Sequence, residues 1–217
     1  ALGDVNGDRH PDLTVANASD NTASVLLGKG DGTFRPKQDF STGFGPISVA
    51  LGDVDGDGRP DLAVANDGTT AVSVLLGKGD GTFRPKQDFP TSGVPRSVAL
   101  GDVNGDGHPD LAVANFGANT VDVLLGKGDG TFRPTQDFPT GGGPFSVALG
   151  DVNGDGHPDL AVANQAVDTV SVLLGKGDGT FRPTQDFPTG SGPVSVAMGD
   201  VNGDGHPDLA VANLDAN

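Results

Sequence analysis

The feature that most constrains this chain is its period. The string Gly-Asp-Val-(Asn/Asp)-Gly-Asp-x-x-Pro-Asp-Leu begins at Gly3, Gly52, Gly101, Gly150 and Gly199, every 49 residues. A fixed period of about 20–50 residues marks solenoids, propellers and arrays, where one unit cannot bury its apolar face alone and stacks on its neighbours. The period divides a single domain over 1–217 into units at about 1–45 (partial), 46–94, 95–143, 144–192 and 193–217 (partial).

Within the unit 46–94 the apolar residues alternate, which is the strand period. Strand A is expected over 47–54, with Ile47, Val49 and Leu51 on one face and Ser48, Ala50 and Gly52 on the other. Strand B is expected over 61–66, strand C over 71–77 and strand D over 82–89. Lys78-Gly79-Asp80-Gly81 supplies the positive-φ residues of a C–D hairpin. Pro85, which has no N–H to donate, makes strand D an edge strand. No apolar spacing of 3.6 is sustained. All 29 acidic residues are Asp, there is no Glu, and 36 Gly and 16 Pro favour turns over helices. The expected fold is all-β: four-stranded antiparallel blades forming a β-propeller or part of one. Phe34, Phe83, Phe132 and Phe181, with Phe40, Phe89, Phe138 and Phe187, are expected to pack between neighbouring blades.

A net charge of −16 repels nucleic acid and anionic lipid, and no apolar stretch approaches the roughly 20 residues that span a bilayer. Neither nucleic-acid binding nor membrane insertion is expected. The chain attracts cations instead. With no Cys there is no disulfide to staple the blades, and bound metal is the natural substitute.

The loop between strands A and B carries that chemistry. In the second unit it reads Asp53-Val-Asp55-Gly-Asp57-Gly-Arg59-Pro-Asp61, with oxygen side chains at loop positions 1, 3, 5 and 9, a backbone carbonyl at 7 and glycine at 6. Calcium takes about 6–8 oxygens at roughly 2.3–2.6 Å; magnesium demands a stricter octahedron, and zinc prefers His or Cys. The expected ligands are Asp4, Asn6, Asp8, His10 and Asp12; Asp53, Asp55, Asp57, Arg59 and Asp61; Asp102, Asn104, Asp106, His108 and Asp110; Asp151, Asn153, Asp155, His157 and Asp159; and Asp200, Asn202, Asp204, His206 and Asp208. His10, Arg59, His108, His157 and His206 enter through their carbonyls only. About one Ca²⁺ per loop, up to five, is expected.

The alternative is a metal-free turn held by Asx bonds, and five full copies of the pattern favour metal. Arg9 replaces the position-6 glycine of the first loop, where positive φ is needed, so that site is expected to be weaker or distorted. Arg59 fills the slot of the four histidines, so an imidazole is not required there. Lys-Gly-Asp-Gly-Thr lacks the second half of a phosphate loop and reads as a hairpin. Asn17-Ala-Ser19 is a glycosylation sequon.

The Gly-Asp-Val-Asn-Gly-Asp-Gly-x-Pro-Asp-Leu loop followed by Val-Leu-Leu-Gly-x-Gly-Asp-Gly-Thr-Phe resembles the FG-GAP/VCBS repeat family over essentially the whole chain. The resemblance implies propeller blades like those of integrin α-subunit heads and secreted bacterial proteins, with calcium in the Asp loops and a secreted or cell-surface location. The Phe-Gly…Gly-Ala-Pro signature of the family survives only as the fragment Phe44-Gly45-Pro46.

In an up-and-down blade the A–B and C–D loops share one end, and the B–C and D–A loops share the other. Variation between copies concentrates at the second end, which makes it the expected face for a protein, glycan or self partner. No nucleophile or carboxylate pair stands out beyond the metal loops. The expectation is therefore a non-enzymatic, calcium-binding extracellular module for adhesion or scaffolding. A self-assembling fibre subunit or a polysaccharide-binding or -processing propeller is the alternative.

Overall fold

Strand B is the apolar centre of each repeat. Its Asp-Leu-Ala-Val-Ala-Asn sequence carries small or branched apolar side chains at all four interior positions, so both faces of the strand can be covered. In β6 (Asp61–Asn66), β10 (Asp110–Asn115) and β14 (Asp159–Asn164) all six residues are buried. A strand buried on both faces needs a packed layer on either side.

The structure, a computed structural model, describes residues 1–215; residues 216 and 217 of the final repeat lie outside it. The first sheet is β1 (Leu2–Gly3), β2 (Asp12–Asn17), β3 (Thr22–Leu26) and β4 (Gln38–Ser41). The second is β5 (Pro46–Gly52), β6, β7 (Ala71–Leu75) and β8 (Gln87–Pro90). The third is β9 (Pro95–Gly101), β10, β11 (Thr120–Leu124) and β12 (Gln136–Pro139). The fourth is β13 (Pro144–Gly150), β14, β15 (Thr169–Leu173) and β16 (Gln185–Pro188), and β17 (Pro193–Gly199) pairs with β18 (Asp208–Asn213). Each four-stranded sheet is an antiparallel meander in sequence order, and the sheets do not close into a ring.

The cores lie between sheets. Val72, Val74 and Leu76 of the second sheet pack with Val98, Leu111, Val113 and Phe132 of the third, and the same contact recurs at the other junctions. Phenylalanines close the first three junctions edge to face: Phe40 on Phe83, Phe89 on Phe132 and Phe138 on Phe181, with ring centroids 5.0–5.1 Å apart. These six take the inter-blade role expected of them, whereas Phe187 is 49% exposed and neither it nor Phe34 joins a ring pair among the described residues. First strands of successive sheets lie side by side, joined where the Val98 N–H donates to Ser48 Oγ at 3.3 Å, as Val147 does to Ser97 and Val196 to Ser146.

A buried polar chain ties the first, second and fourth sheets across their width. Asn66 Nδ2 donates to Ser73 Oγ at 3.0 Å, and Ser73 Oγ donates to Asp88 Oδ1 at 2.6 Å. Asn17 occupies the same place in the first sheet, where its Nδ2 donates to Thr22 Oγ1 and Ser24 Oγ. The sequon nitrogen is thus engaged in holding the fold.

Strand D differs from the expected 82–89. Only a single bridge forms at its start, Gly77 to Phe83, before the chain leaves the ladder at Pro85 and rejoins it as β8. A proline has no N–H to contribute there, and the ladder resumes only beyond it. Strands A and C likewise end earlier than expected, at Gly52 and Leu75, because the residues that follow turn into the loops.

Candidate metal centre

Each A–B loop is organised by its first carboxylate. Asp4 Oδ1 accepts the N–H groups of Gly7 at 2.7 Å and Asp8 at 3.2 Å, and Oδ2 accepts that of Arg9 at 2.7 Å. Asp53, Asp102, Asp151 and Asp200 do the same in their loops, each accepting the N–H of its position-6 glycine at 2.8 Å. Those N–H dipoles favour the anion. The Gly156 N–H, followed by those of Gly154 and Asp155, holds the Asp151 carboxyl below its usual range, and the Gly205 N–H does so for Asp200. The curl needs left-handed backbone at two positions, Gly56 (φ 72°) and Gly58 (φ 80°) in the second loop.

Arg9 meets that requirement as a non-glycine residue at φ 67°. Of the weaker or distorted site expected in the first loop, the distortion is absent: the loop keeps its hydrogen bonds to Asp4. The cost is local: left-handed backbone is unfavourable by about 1–2 kcal/mol for a residue with a Cβ.

The ninth-position aspartate anchors the loop to its blade. Asp61 Oδ2 accepts the Val54 N–H at 2.8 Å and Oδ1 accepts the Gly77 N–H at 2.7 Å, so one side chain joins the A–B corner to the end of strand C. Asp12, Asp110 and Asp159 repeat this pair of bonds. Burial raises the Asp61 and Asp110 carboxyls to about 6 against the pull of these N–H groups, and the neighbouring loop aspartates push the same way.

The second loop brings three carboxylates together. Asp53, Asp55 and Asp61 each place one oxygen within 4.8 Å of the other two. Two oxygens bound at about 2.5 Å on opposite sides of a Ca²⁺ are about 5 Å apart, so the spacing suits that ion, and the donors are all hard oxygens. Asp55 also has its carboxyl raised, by burial first and then by Asp57 and Asp53, the crowding that a cation relieves. Asp57 stands outside this triad, with its Oδ2 3.8 Å from Arg59 Nη1. In the other four loops position 3 is Asn6, Asn104, Asn153 or Asn202, whose Nδ2 donates to the position-5 aspartate at 2.9–3.0 Å and whose Oδ1 accepts that residue's N–H. In these loops position 3 carries an amide where the second loop has the carboxylate of Asp55.

The position-7 side chains turn away from the loop centre onto the C–D hairpin. A Cβ placed on Gly30, Gly128 or Gly177 would lie within 2.4–2.5 Å of the ring of His10, His108 or His157, and one on Gly79 would be 3.0 Å from Arg59. The hairpin glycines are therefore receptor surfaces for these side chains, a role the sequence pattern did not disclose. The hairpin also reaches back to the preceding blade. The Gly81 N–H donates to Val5 O at 3.3 Å and the Gly130 N–H to Val54 O at 3.2 Å. Each of these bonds fixes an A–B loop against the blade that follows it.

Stacked four-stranded meanders with an oxygen-lined loop at the same corner of each define an open, propeller-type blade repeat. The chain belongs to the FG-GAP-like repeat family, which matches it at residues 4–64, 53–113, 102–162 and 151–211. No curated protein matches it in sequence. Among solved structures it is similar to an Agrocybe aegerita lectin recognising non-reducing terminal N-acetylglucosamine (22% identity, TM-score 0.65, covering 96% of this chain and 59% of that one). It is also similar to a functionally unknown protein from Desulfotomaculum acetoxidans (14%, TM-score 0.68, 98% and 62%). A third is the V. cholerae biofilm matrix protein Bap1 (21%, TM-score 0.55, 97% and 33%). At these identities the likeness is one of fold, and the chain spans about three fifths of the lectin's length.

Proposed function

We propose that this chain is a calcium-braced, non-catalytic module of an extracellular protein, serving adhesion or scaffolding and offering its B–C/D–A loop face to a partner. The observation that carries this reading is the Asp53–Asp55–Asp61 cluster, built into a loop that is hydrogen-bonded to the next blade's hairpin. An ion there screens the carboxylates and stiffens a junction between blades. The remaining loops offer the same positions with an amide oxygen in the set.

Extracellular calcium modules bind at roughly 10⁻⁴–10⁻³ M. At ten- to hundredfold excess each occupied site adds about 1.4–2.7 kcal/mol. Thermal melts in calcium and in chelator are expected to differ by many degrees; equal melting temperatures would overturn the calcium reading.

One observation favours glycan binding as a second reading. Phe44 is 67% exposed and borders a cleft of about 480 Å³ with Asp20, Asn21, Thr42, Lys86 and Asp88, a mixture of apolar ring and polar groups that suits a sugar. N-acetylglucosamine is the first probe, since one similar fold belongs to a lectin for it. On this reading Phe44→Ala abolishes retention on the immobilised sugar without lowering the melting temperature; no retention of the parent protein removes the reading.

A further inference from the structure

The copies of this repeat are nearly identical, so departures from the repeat are informative where they cluster in space. Strands β5, β9, β13 and β17 each begin with a β-bulge between a proline and a serine shared by all four. The register slips there in all four complete A–B pairs, leaving Ile47, Arg96, Phe145 and Val194 as the extra residues. Bulges re-aim a side chain and are common beside functional sites. Here four equivalent bulges present four different side chains on one backbone.

The variable residue that follows each strand B is pinned beside them. The N–H groups of Asp67 and Phe116 donate to the D–A loop carbonyls of Gly45 and Val94 at 2.8 and 2.9 Å. These two sets of variable positions meet at Arg96. Its Nη1 donates to Asp67 Oδ2 at 2.9 Å, and its guanidinium carbon lies 5.1 Å from the ring centre of Phe116 and 5.5 Å from that of Phe145. Three consecutive blades thus contribute one constellation.

The guanidinium is held but not saturated. A guanidinium has five N–H donors. The bond to Asp67 is its one side-chain hydrogen bond among the described residues, and Nε is buried without an acceptor. About a quarter of the Arg96 side chain, 27%, remains open to solvent. Two flanking rings and one carboxylate fix the planar group, which is the preorganisation that favours a second, forked acceptor.

We propose that Arg96 is the anchor of a binding site at the B–C/D–A end, and that it takes the carboxylate of an acidic side chain set among apolar residues of a peptide segment. The surroundings choose this ligand over an acidic sugar. A sugar ring needs several polar groups for its hydroxyls, whereas the neighbouring bulge positions carry Ile47, Phe145 and Val194, and Phe116 flanks the cation. In a chain of charge −16, an arginine braced between two rings at this end gives an acidic segment a place to dock. The site goes beyond the calcium reading and shares no residue with the metal loops.

The test uses the full calcium-loaded chain, ¹⁵N-labelled, with the Arg96 Nε–H resonance as the readout. Titration with N-acetyl-Leu-Asp-Leu-amide is expected to shift that resonance saturably. The Asn analogue is expected to bind about tenfold more weakly, the equivalent of about 1.4 kcal/mol. Arg96→Ile, the side chain of the preceding repeat, should abolish binding while leaving calcium content unchanged. Phe116→Gln, the side chain of the following repeat, should weaken binding and serves if Arg96→Ile does not fold. No saturable shift, equal binding of the Asp and Asn peptides, or tighter binding of glucuronate would overturn the proposal. Melting in calcium and chelator is measured on the same sample, so failure of the calcium reading is seen separately.

Discussion

Asp122 stands where the other repeats carry Ser24, Ser73 and Ser171. Each of those serines donates to the aspartate opposite it on strand D at 2.6 Å, whereas Asp122 faces Asp137 as a like charge. A second departure compensates. Ser92 replaces the glycine found at Gly43 and Gly141, and its N–H and Oγ donate to Asp122 at 2.7 and 2.6 Å. Burial raises the Asp122 carboxyl against these bonds, and Asp137 adds to the rise. A carboxyl raised in the folded state contributes most stability below its unfolded value of about 3.9, and that contribution is lost as pH rises through the folded value. Asp122→Ser should therefore stabilise the protein at pH 7 by about 1 kcal/mol through the restored Ser–Asp bond. Its advantage over the parent should shrink as pH falls toward 4. Melting temperatures of both proteins across that range check the sign; an advantage that grows on acidification would refute it.

At the scale of elements, metal loop and hairpin act as one unit. The position-7 ring of His108 rests on Gly128, where a Cβ would sit 2.4 Å from it and where φ is 70°. Gly128→Ala changes no expected ligand, yet it must push the His108 ring and with it the carbonyl expected to bind at position 7. We expect native mass spectrometry at limiting calcium to show one ion fewer for this variant. The same change at Gly117, which has nothing within 4 Å of its Cβ direction and lies in the B–C loop at the other end of the blade, should leave the count unchanged. Equal calcium loading of all three proteins would show that the hairpin does not support the loop.

Across the whole molecule, stability is distributed over junctions between blades. Phe132 is 7% exposed, in edge-to-face contact with Phe89 of the preceding sheet. Phe34, its equivalent in the first sheet, belongs to no such pair among the described residues. Phe132→Ala should cost about 3 kcal/mol, the usual toll of emptying a buried aromatic site. For a chain of this size that is a fall in melting temperature of roughly 6–12 °C. Phe34→Ala should cost under about 1 kcal/mol, as for a partly exposed side chain. Chemical denaturation of the two variants tests this, since nearest-neighbour coupling requires the difference. The same geometry predicts that losing one junction weakens its two neighbouring blades first, a pattern hydrogen exchange resolves.

The repeat period, the alternation of apolar residues and the Asp-Gly hairpins were enough to read four antiparallel strands per unit, because those signals are local and recur in every copy. The convergence of Asp53, Asp55 and Asp61 was legible in part for the same reason: oxygen side chains at loop positions 1 and 3 of a tight curl lie close together, while Asp57, expected beside them, stands outside the triad. Tertiary structure decided what depends on contacts distant in sequence. The role of Gly30, Gly79, Gly128 and Gly177 appears only when the position-7 side chain is seen lying on them. Asp61, expected as a ligand, also proves to be the bracket between the A–B corner and strand C. The breaks at Pro36, Pro85, Pro134 and Pro183 follow from local chemistry, but the resumption of strand D beyond them depends on its partner strand C. The meeting of Asp67, Arg96, Phe116 and Phe145 was least legible of all. Single departures in different repeats carry no common pattern, and only the stacking of blades, driven by burial of both faces of strand B, brings them together.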